Sequence, residues 1–351
     1  MSEITIAGRL IGRGHPTYVI AELSANHGGS YDRALELLRR AAEAGADAVK
    51  VQTYRPDTMT IDSQAEPFRV SGGTLWDGRT LYDLYGEAQT PWEWHPKLQA
   101  EAAALGVDFF SSPFDATAVD FLAGMGVPVL KIASFELIDH GLIRAAARTG
   151  IPLIMSTGMA SAEEIDEAVG VARAAGAGAI ALLRCNSAYP APAGEMDLAT
   201  IADMAARWDV PVGLSDHTLG ATAAIAAVAL GACILEKHIT ISRTDPTADA
   251  AFSMEPAEFR AMVDAVRDAE VAVGRVRYGP SDREKASLAL RRSLFVVADV
   301  EAGEPFTEEN VRSIRPGHGL APRHLPEVLG RRSAARVPRG TPLTWDLVEG
   351  A

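Results

Sequence analysis

Two lysines stand where apolar residues are the rule. Lys50 lies between Val49 and Val51, and Lys131 lies between Leu130 and Ile132. An ammonium in such a run needs an anionic partner, because an unpaired buried charge is costly. The partner is either a carboxylate of the chain, with Glu22 and Glu236 the candidates, or the phosphate or carboxylate of a ligand. Small hydroxyls favour the ligand. Ser112, Ser134, Ser156, Ser187 and Ser215 each follow an apolar run and together can ring a phosphate group. His217 and His238 close two further runs. Two neutral imidazoles are good ligands for a divalent transition metal, and so small a set leaves positions for water and substrate oxygens, as a Lewis-acid site requires. A hydrogen-bonded structural pair is the other reading, and spacing alone leaves both open.

The elements that must position these residues alternate along the chain from about Thr17 to Gly274. Eight runs read as strands: 18–21, 48–51, 107–110, 129–132, 153–155, 179–183, 210–214 and 233–236. They are mostly apolar rather than alternating, which suits strands buried on both faces. Helical spacing lies between them. Residues 31–44 put Ala34, Leu37, Leu38 and Ala41 on one face and stop at Gly45, while Ser161 and Glu164 form a capping-box pattern at the start of another helix. Eight βα units in about 260 residues predict a closed (β/α)8 TIM barrel. The alternative is a doubly wound open sheet, but no Gly-x-Gly-x-x-Gly turn follows the first strand. Barrel chemistry sits at the C-terminal strand ends, and every one carries polar groups: Glu22, Asn26 and His27; Lys50 and Gln52; Ser111 and Ser112; Lys131, Ser134 and Glu136; Ser156 and Thr157; Asn186, Ser187 and Tyr189; Ser215, Asp216 and His217; Glu236, Lys237 and His238.

The alternation stops near Gly274. We expect a barrel domain over residues 1–278, a polar linker over 279–290 and a small domain over 291–351 with strand-like pieces at 293–298, 311–314 and 342–345. About 65 residues is small for an independent fold, so this domain is expected to lean on the barrel or on a partner chain. The net charge of −13 argues against nucleic acid as a partner. Cys185 and Cys233 are the only cysteines and both sit in apolar runs, as expected of a reduced cytoplasmic protein. The first residues lack the pattern of a signal peptide, and the apolar run 221–235 is too short to span a bilayer, so no membrane partner is expected.

The residues singled out above also fall in an ordered set of motifs. Ile20-Ala21-Glu22-Leu23-Ser24-Ala25-Asn26-His27, Lys50-Val51-Gln52-Thr53, Lys131-Ile132-Ala133-Ser134-Phe135-Glu136, Ser156-Thr157-Gly158-Met159, Gly213-Leu214-Ser215-Asp216-His217-Thr218 and Leu235-Glu236-Lys237-His238 together resemble the sialic acid synthase family. Arg315-Pro316-Gly317-His318-Gly319 resembles part of that family's C-terminal antifreeze-like (SAF, β-clip type) domain. Three features are most similar to the pseudaminic acid branch: the Glu-Leu-Ser-Ala-Asn-His motif, the run from Pro113 to Asp120, and the segment from Ser187 to Pro192.

The resemblance implies a carbon–carbon bond-forming transferase that joins phosphoenolpyruvate to an amino sugar and releases phosphate. It implies that Lys50, Ser112, Lys131, Ser134, Ser156, Ser187 and Ser215 hold phosphoenolpyruvate. By the same resemblance His217 and His238 bind a divalent metal, manganese or magnesium, and Glu22 handles protons. Gln52, Tyr189 and Asp249 face the sugar, and Glu136 and Asp216 join the substrate-binding set. Arg315 reaches into the barrel of the partner subunit in a domain-swapped homodimer. A neuraminic or legionaminic acid product is the alternative within the family. A pyruvate aldolase with Lys131 or Lys50 as a Schiff base is the alternative outside it.

Overall fold

Each of the eight apolar runs is a strand, and the eight pair in parallel to close a barrel. The structure is a computed structural model and describes residues 3–71 and 76–351. Two short strands come first, β1 (Ile4–Ile6) and β2 (Arg9–Ile11), and the barrel consists of β3 (Tyr18–Glu22), β4 (Ala48–Thr53), β5 (Asp108–Pro113), β6 (Leu130–Ile132), β7 (Leu153–Ser156), β8 (Ile180–Cys185), β9 (Val212–Asp216) and β10 (Ile234–His238). β10 closes the barrel on β3, with His238 level with Glu22, and Glu22 is level with Lys50 on β4. Most strands run further than their apolar cores suggest. Their last residues are polar, and these are the residues at which chemistry was expected.

β1 and β2 form an antiparallel hairpin that the sequence did not announce. Its turn residues, Ala7 and Gly8, both have positive φ, 48° and 80°. That is the geometry of a tight two-residue hairpin turn, but an alanine stands where Asn or Asp gives the usual signal. Ile4, Ile6 and Ile11 are buried in the same apolar core as the barrel. The helix Tyr31–Glu43 buries Ala34, Leu37, Leu38 and Ala41 as its spacing predicts. The helix Ala162–Ala174 has the expected reciprocal cap between Ser161 and Glu164.

The chain divides into two compact units, Met1–Gly274 and Arg275–Ala351. The stretch expected as a linker carries a 3-10 turn, Lys285–Leu290, and lies within the second unit. That unit has its own apolar cluster, including Leu294, Val296, Phe306 and Leu343. Its antiparallel pair is β11 (Ser293–Val296) and β12 (Val311–Ile314). The third expected strand is only a single bridge, Phe295 to Pro342. Among the described residues no helix is long and apolar enough to cross a membrane.

Outside the barrel lumen a buried polar chain ties the barrel wall to a helix. His95 Nε2 lies 2.7 Å from Thr53 Oγ1, which is 2.6 Å from Ser111 Oγ. Burial pulls His95 down to about 4, and His27 likewise to about 4. The unfolded chain titrates its histidines near 6.5. Between pH 6.5 and 4 it therefore binds protons that the folded protein refuses, and stability falls as the pH falls through this window. By pH 4 the loss is on the order of 3 kcal/mol for each histidine. Glu136, pushed up to about 7 by burial, acts in the opposite sense as the pH falls below 7. The readout is therefore a difference between proteins. Urea unfolding of His95→Gln should lose about one proton from the slope of stability against pH between 6.5 and 4. An unchanged slope would mean that His95 is already protonated in the folded protein.

Candidate active site

Side chains from neighbouring strands converge inside the barrel. Lys50 Nζ lies 2.8 Å from Glu22 Oε2 on β3, 3.1 Å from Glu236 Oε1 on β10 and 3.3 Å from Ser112 Oγ on β5. One ammonium thus holds two carboxylates and a hydroxyl from both of its neighbouring strands and the next. Burial works against its charge, but Glu22 and Glu236 outweigh burial and raise its pKa. Burial, reinforced by Glu236, raises the pKa of Glu22 despite Lys50. Burial also opposes the charge on Glu236, but Lys131 and Lys50 prevail and hold it below the ordinary carboxylate range.

Lys131 is placed differently. It is 2% exposed, its nearest carboxylate oxygen is Glu236 Oε1 at 4.0 Å, and it donates to the carbonyl of Ile132 at 3.2 Å. Burial lowers its pKa. The two readings of the lysines therefore divide between them. Lys50 is the internal ion pair, and Lys131 is the cation left for a ligand.

The hydroxyls follow the strand ends. Ser215 Oγ donates to Glu236 Oε1 at 3.4 Å, and Ser134 and Ser187 touch through their hydroxyls at 2.9 Å. Among the described residues Ser156 Oγ is buried without a hydrogen-bond partner, as is Glu136 Oε2. Gly158 lets the loops meet here. A Cβ on it would lie 2.5 Å from Ser134 Cβ and 2.8 Å from Ser187 Oγ.

The two histidines face each other with ring centroids 5.3 Å apart. The carbonyl of Asn186 accepts from His217 Nδ1 at 2.8 Å. Burial opposes a charge on His217, but Cys185 and that carbonyl outweigh it and raise its pKa, so Nε2 offers a lone pair to a metal once its proton is displaced. His238 Nδ1 is buried with no hydrogen-bond partner among the described residues, 3.9 Å from Asp249 Oδ2. Burial, then the charges of His217 and Lys50, hold His238 well below its ordinary pKa, so it stays neutral. Two lone-pair nitrogens fit a divalent metal. No third His, Cys, Asp or Glu completes a set with them among the described residues. Such a site keeps positions open for substrate oxygens.

Gln52, Tyr189 and Asp249 gather beside this pair. Gln52 Nε2 donates to Glu22 Oε1 at 3.2 Å and to Ser24 Oγ at 3.1 Å. The Tyr189 ring lies 4.4 Å from that of His217 and 5.1 Å from that of Phe252. Asp216 is not brought to the cluster. Its neighbour Ser215 points inward, so Asp216 points the other way. Lys237 holds one of its oxygens at 2.7 Å, and the amide and hydroxyl of Thr218 take the other. Arg315 is exposed in the second unit, directly after β12.

A model of the NeuB family matches residues 37–278, and a model of the SAF domain matches residues 291–349. The chain belongs to the NeuB family. It is 41% identical over 336 residues to the pseudaminic acid synthase of Helicobacter pylori, covering 95% of this chain and 98% of that one. It is 35% identical over 337 residues to the N,N'-diacetyllegionaminic acid synthase of Legionella pneumophila, covering 95% and 94%. The solved structure of an N-acetylneuraminic acid synthetase from Leptospira borgpetersenii matches with a TM-score of 0.73 at 31% identity, over 82% of this chain and 95% of that one.

In this NeuB-family barrel Glu236 carries more than the sequence reading assigned to it. It was visible there only as a possible lysine partner, yet it bridges Lys50, Lys131 and Ser215. Phe252, which walls both histidines, was not singled out. It sits on a loop whose path no periodicity reveals.

The contrast between the lysines makes a prediction. Lys50→Met leaves two buried carboxylates without their shared cation and should cost about 3–5 kcal/mol in urea unfolding. Lys131→Met leaves Glu236 paired with Lys50 and should cost far less, while abolishing binding of an anionic ligand. Equal losses of stability would mean that Lys131 is a structural partner too.

Proposed function

We propose that the barrel condenses phosphoenolpyruvate with 2,4-diacetamido-2,4,6-trideoxy-altrose to make pseudaminic acid and phosphate. The observation that carries this reading is Lys131, a buried ammonium short of a close carboxylate, with the buried Ser156 hydroxyl, without a partner among the described residues, on the adjoining strand β7. The identity to pseudaminic acid synthases over most of the chain supports the choice of sugar. Lys131, with Ser112, Ser134, Ser156, Ser187 and Ser215, holds the phosphoenolpyruvate anion, and Lys50 fixes the carboxylates around it. Gln52, Tyr189 and Asp249 face the sugar.

His217 and His238 would hold a divalent metal, manganese or magnesium, which when bound would supply Lewis-acid polarisation of the sugar aldehyde. C3 of phosphoenolpyruvate bonds to the aldehyde carbon with the electron pair of the C2–C3 double bond, while the π pair of the aldehyde moves onto its oxygen, which takes up a proton to become a hydroxyl. Water adds to the electron-poor C2, and Glu22 takes its proton. Two hydrogen-bond donors, the Ser24 amide and the Gln52 side chain, fix Glu22 Oε1 at 3.0 and 3.2 Å, which sets the direction of the proton transfer. The tetrahedral C2 then expels phosphate by C–O cleavage. Glu136, pushed up to about 7 by burial, can hold a proton near neutral pH and donate a hydrogen bond to a substrate oxygen. The rings of Tyr189 and Phe252 keep bulk water from the histidines. The SAF-domain similarity supports a homodimer in which Arg315 completes the site of the partner subunit. The buried free cysteines are consistent with a cytoplasmic setting.

Phosphate release from phosphoenolpyruvate with manganese tests the reading. Release with the trideoxy sugar and none with N-acetylmannosamine is the expected result, and the reverse would transfer the substrate to the neuraminic acid branch. Glu22→Gln should retain the fold and phosphoenolpyruvate binding but lose turnover by about 100-fold or more. Near-normal turnover would remove Glu22 from proton transfer.

A further inference from the structure

Ser24 occupies a backbone conformation that calls for glycine. Its φ is 43°, in the left-handed region, and the residue is 4% exposed. Serine is not favoured there, so the strain must be held in place by what the side chain does. The side chain has two partners, both in the site. Its hydroxyl donates to Asp249 Oδ2, and it accepts from Gln52 Nε2 at 3.1 Å. The backbone turn at Ser24 also aims its amide at Glu22 Oε1, 3.0 Å away. One hydroxyl therefore joins an amide on β4 to a carboxylate on the loop after β10, beside the residue assigned to proton transfer.

Asp249 has need of such a tie. It lies on an irregular segment, 3.9 Å from His238 Nδ1, and burial raises its pKa against the Ser24 bond. The body of that loop is secured separately. Asn26 donates to the Ile239 carbonyl at 2.9 Å and to Ser253 Oγ at 2.8 Å, and accepts from Thr247 Oγ1 at 2.9 Å. Removing the Ser24 hydroxyl thus leaves the Asp249 carboxylate with the Ala25 amide and Gln52 with Glu22 Oε1, and loosens the aim of both without freeing the loop.

We propose that Ser24 is a positioning residue for the amino sugar: its hydroxyl fixes Asp249 and Gln52 in the orientation that binds the sugar, and the strained backbone is retained for that purpose. The proposal rests on the reading that Asp249 and Gln52 face the sugar.

The test is Ser24→Gly in the full chain. Glycine suits the backbone angle, so the melting temperature should stay level or rise, and KM for phosphoenolpyruvate should stay within about 2-fold. The value of kcat/KM for the sugar should fall roughly 10- to 100-fold, the range for a lost hydrogen bond to a charged group. In the Asp249→Asn background the same substitution should add little, because the hydroxyl acts through that carboxylate. A variant with wild-type sugar kinetics overturns the proposal. So does one with a lower melting temperature and equal losses for both substrates, which marks a structural role. Additive effects with Asp249→Asn overturn it as well. The sugar used is whichever one the wild type consumes, so a wild type that prefers N-acetylmannosamine defeats the substrate assignment and leaves this comparison intact. If neither sugar reacts, a crystal structure of Ser24→Gly decides. A displaced Asp249 carboxylate supports the positioning role, and an unmoved one ends it.

Discussion

One buried ammonium holds the barrel interior together. Lys50 stands between Glu22 and Glu236, and these come from β3 and β10, the strands at which the barrel closes. Two carboxylates this deep cannot both stay charged without a cation between them. The strand register delivers that cation with no loop involved, since Glu22 and Lys50 are level across the β3–β4 ladder. Closure of the barrel and assembly of the charge cluster are therefore one event. A slip of one residue on β4 would turn Lys50 into the helical layer and strand both acids.

The cluster also explains how a chain with net charge −13 accepts an anion. Within the lumen two lysines balance two glutamates, and the balance is unevenly distributed. Lys50 is fully engaged, and Lys131 has its nearest carboxylate at 4.0 Å. An arriving phosphate therefore meets a cation that it does not have to win from a tight ion pair. It also meets the hydroxyl of Ser156, already desolvated and without a partner among the described residues. The raised pKa of Glu136, about 7, means that the extra negative charge can be offset by a proton retained there. Substrate binding and acid–base readiness are coupled through this shared charge.

The barrel was legible because parallel strands buried on both faces read as mostly apolar, non-alternating runs, and all eight did despite the charges at Lys50, Asp108, Lys131 and Glu236. The same signal fails where function begins. The polar ends of β5 and β10, with Ser112 and His238, look like loop by composition but remain in the ladder or at its end. Strand alternation could have separated Ser215 from Asp216, since adjacent residues face opposite sides, yet the motif drew both into the site. The hairpin of β1 and β2 escaped because Ala7 replaces the usual turn residue. Glu236 was in view, but only coordinates show it reaching both lysines and Ser215. Asp249 came through the resemblance and not from spacing, because a loop's return to the barrel mouth is fixed by distant bonds such as those of Asn26.

These differences in support divide the site into two kinds of construction. In the proposed reading the anion seat is built mostly on strands: Lys131, Ser112, Ser156 and Ser215 lie within the barrel ladder, and Ser134 and Ser187 come from the loops that follow it. The proposed sugar side takes Gln52 from β4 and its other residues from outside the ladder. Asp249 and Tyr189 sit on irregular segments, and Asp249 is aimed by the strained turn at Ser24. Strand positions are set by many cooperative backbone bonds, so they resist change without loss of the fold. Loop-borne residues are set by a few side-chain bonds and can be re-aimed one at a time. A barrel made this way can keep one phosphoenolpyruvate chemistry while its sugar partner varies. That is the pattern to expect where relatives at 41% and 35% identity carry the names of different nonulosonic acid synthases.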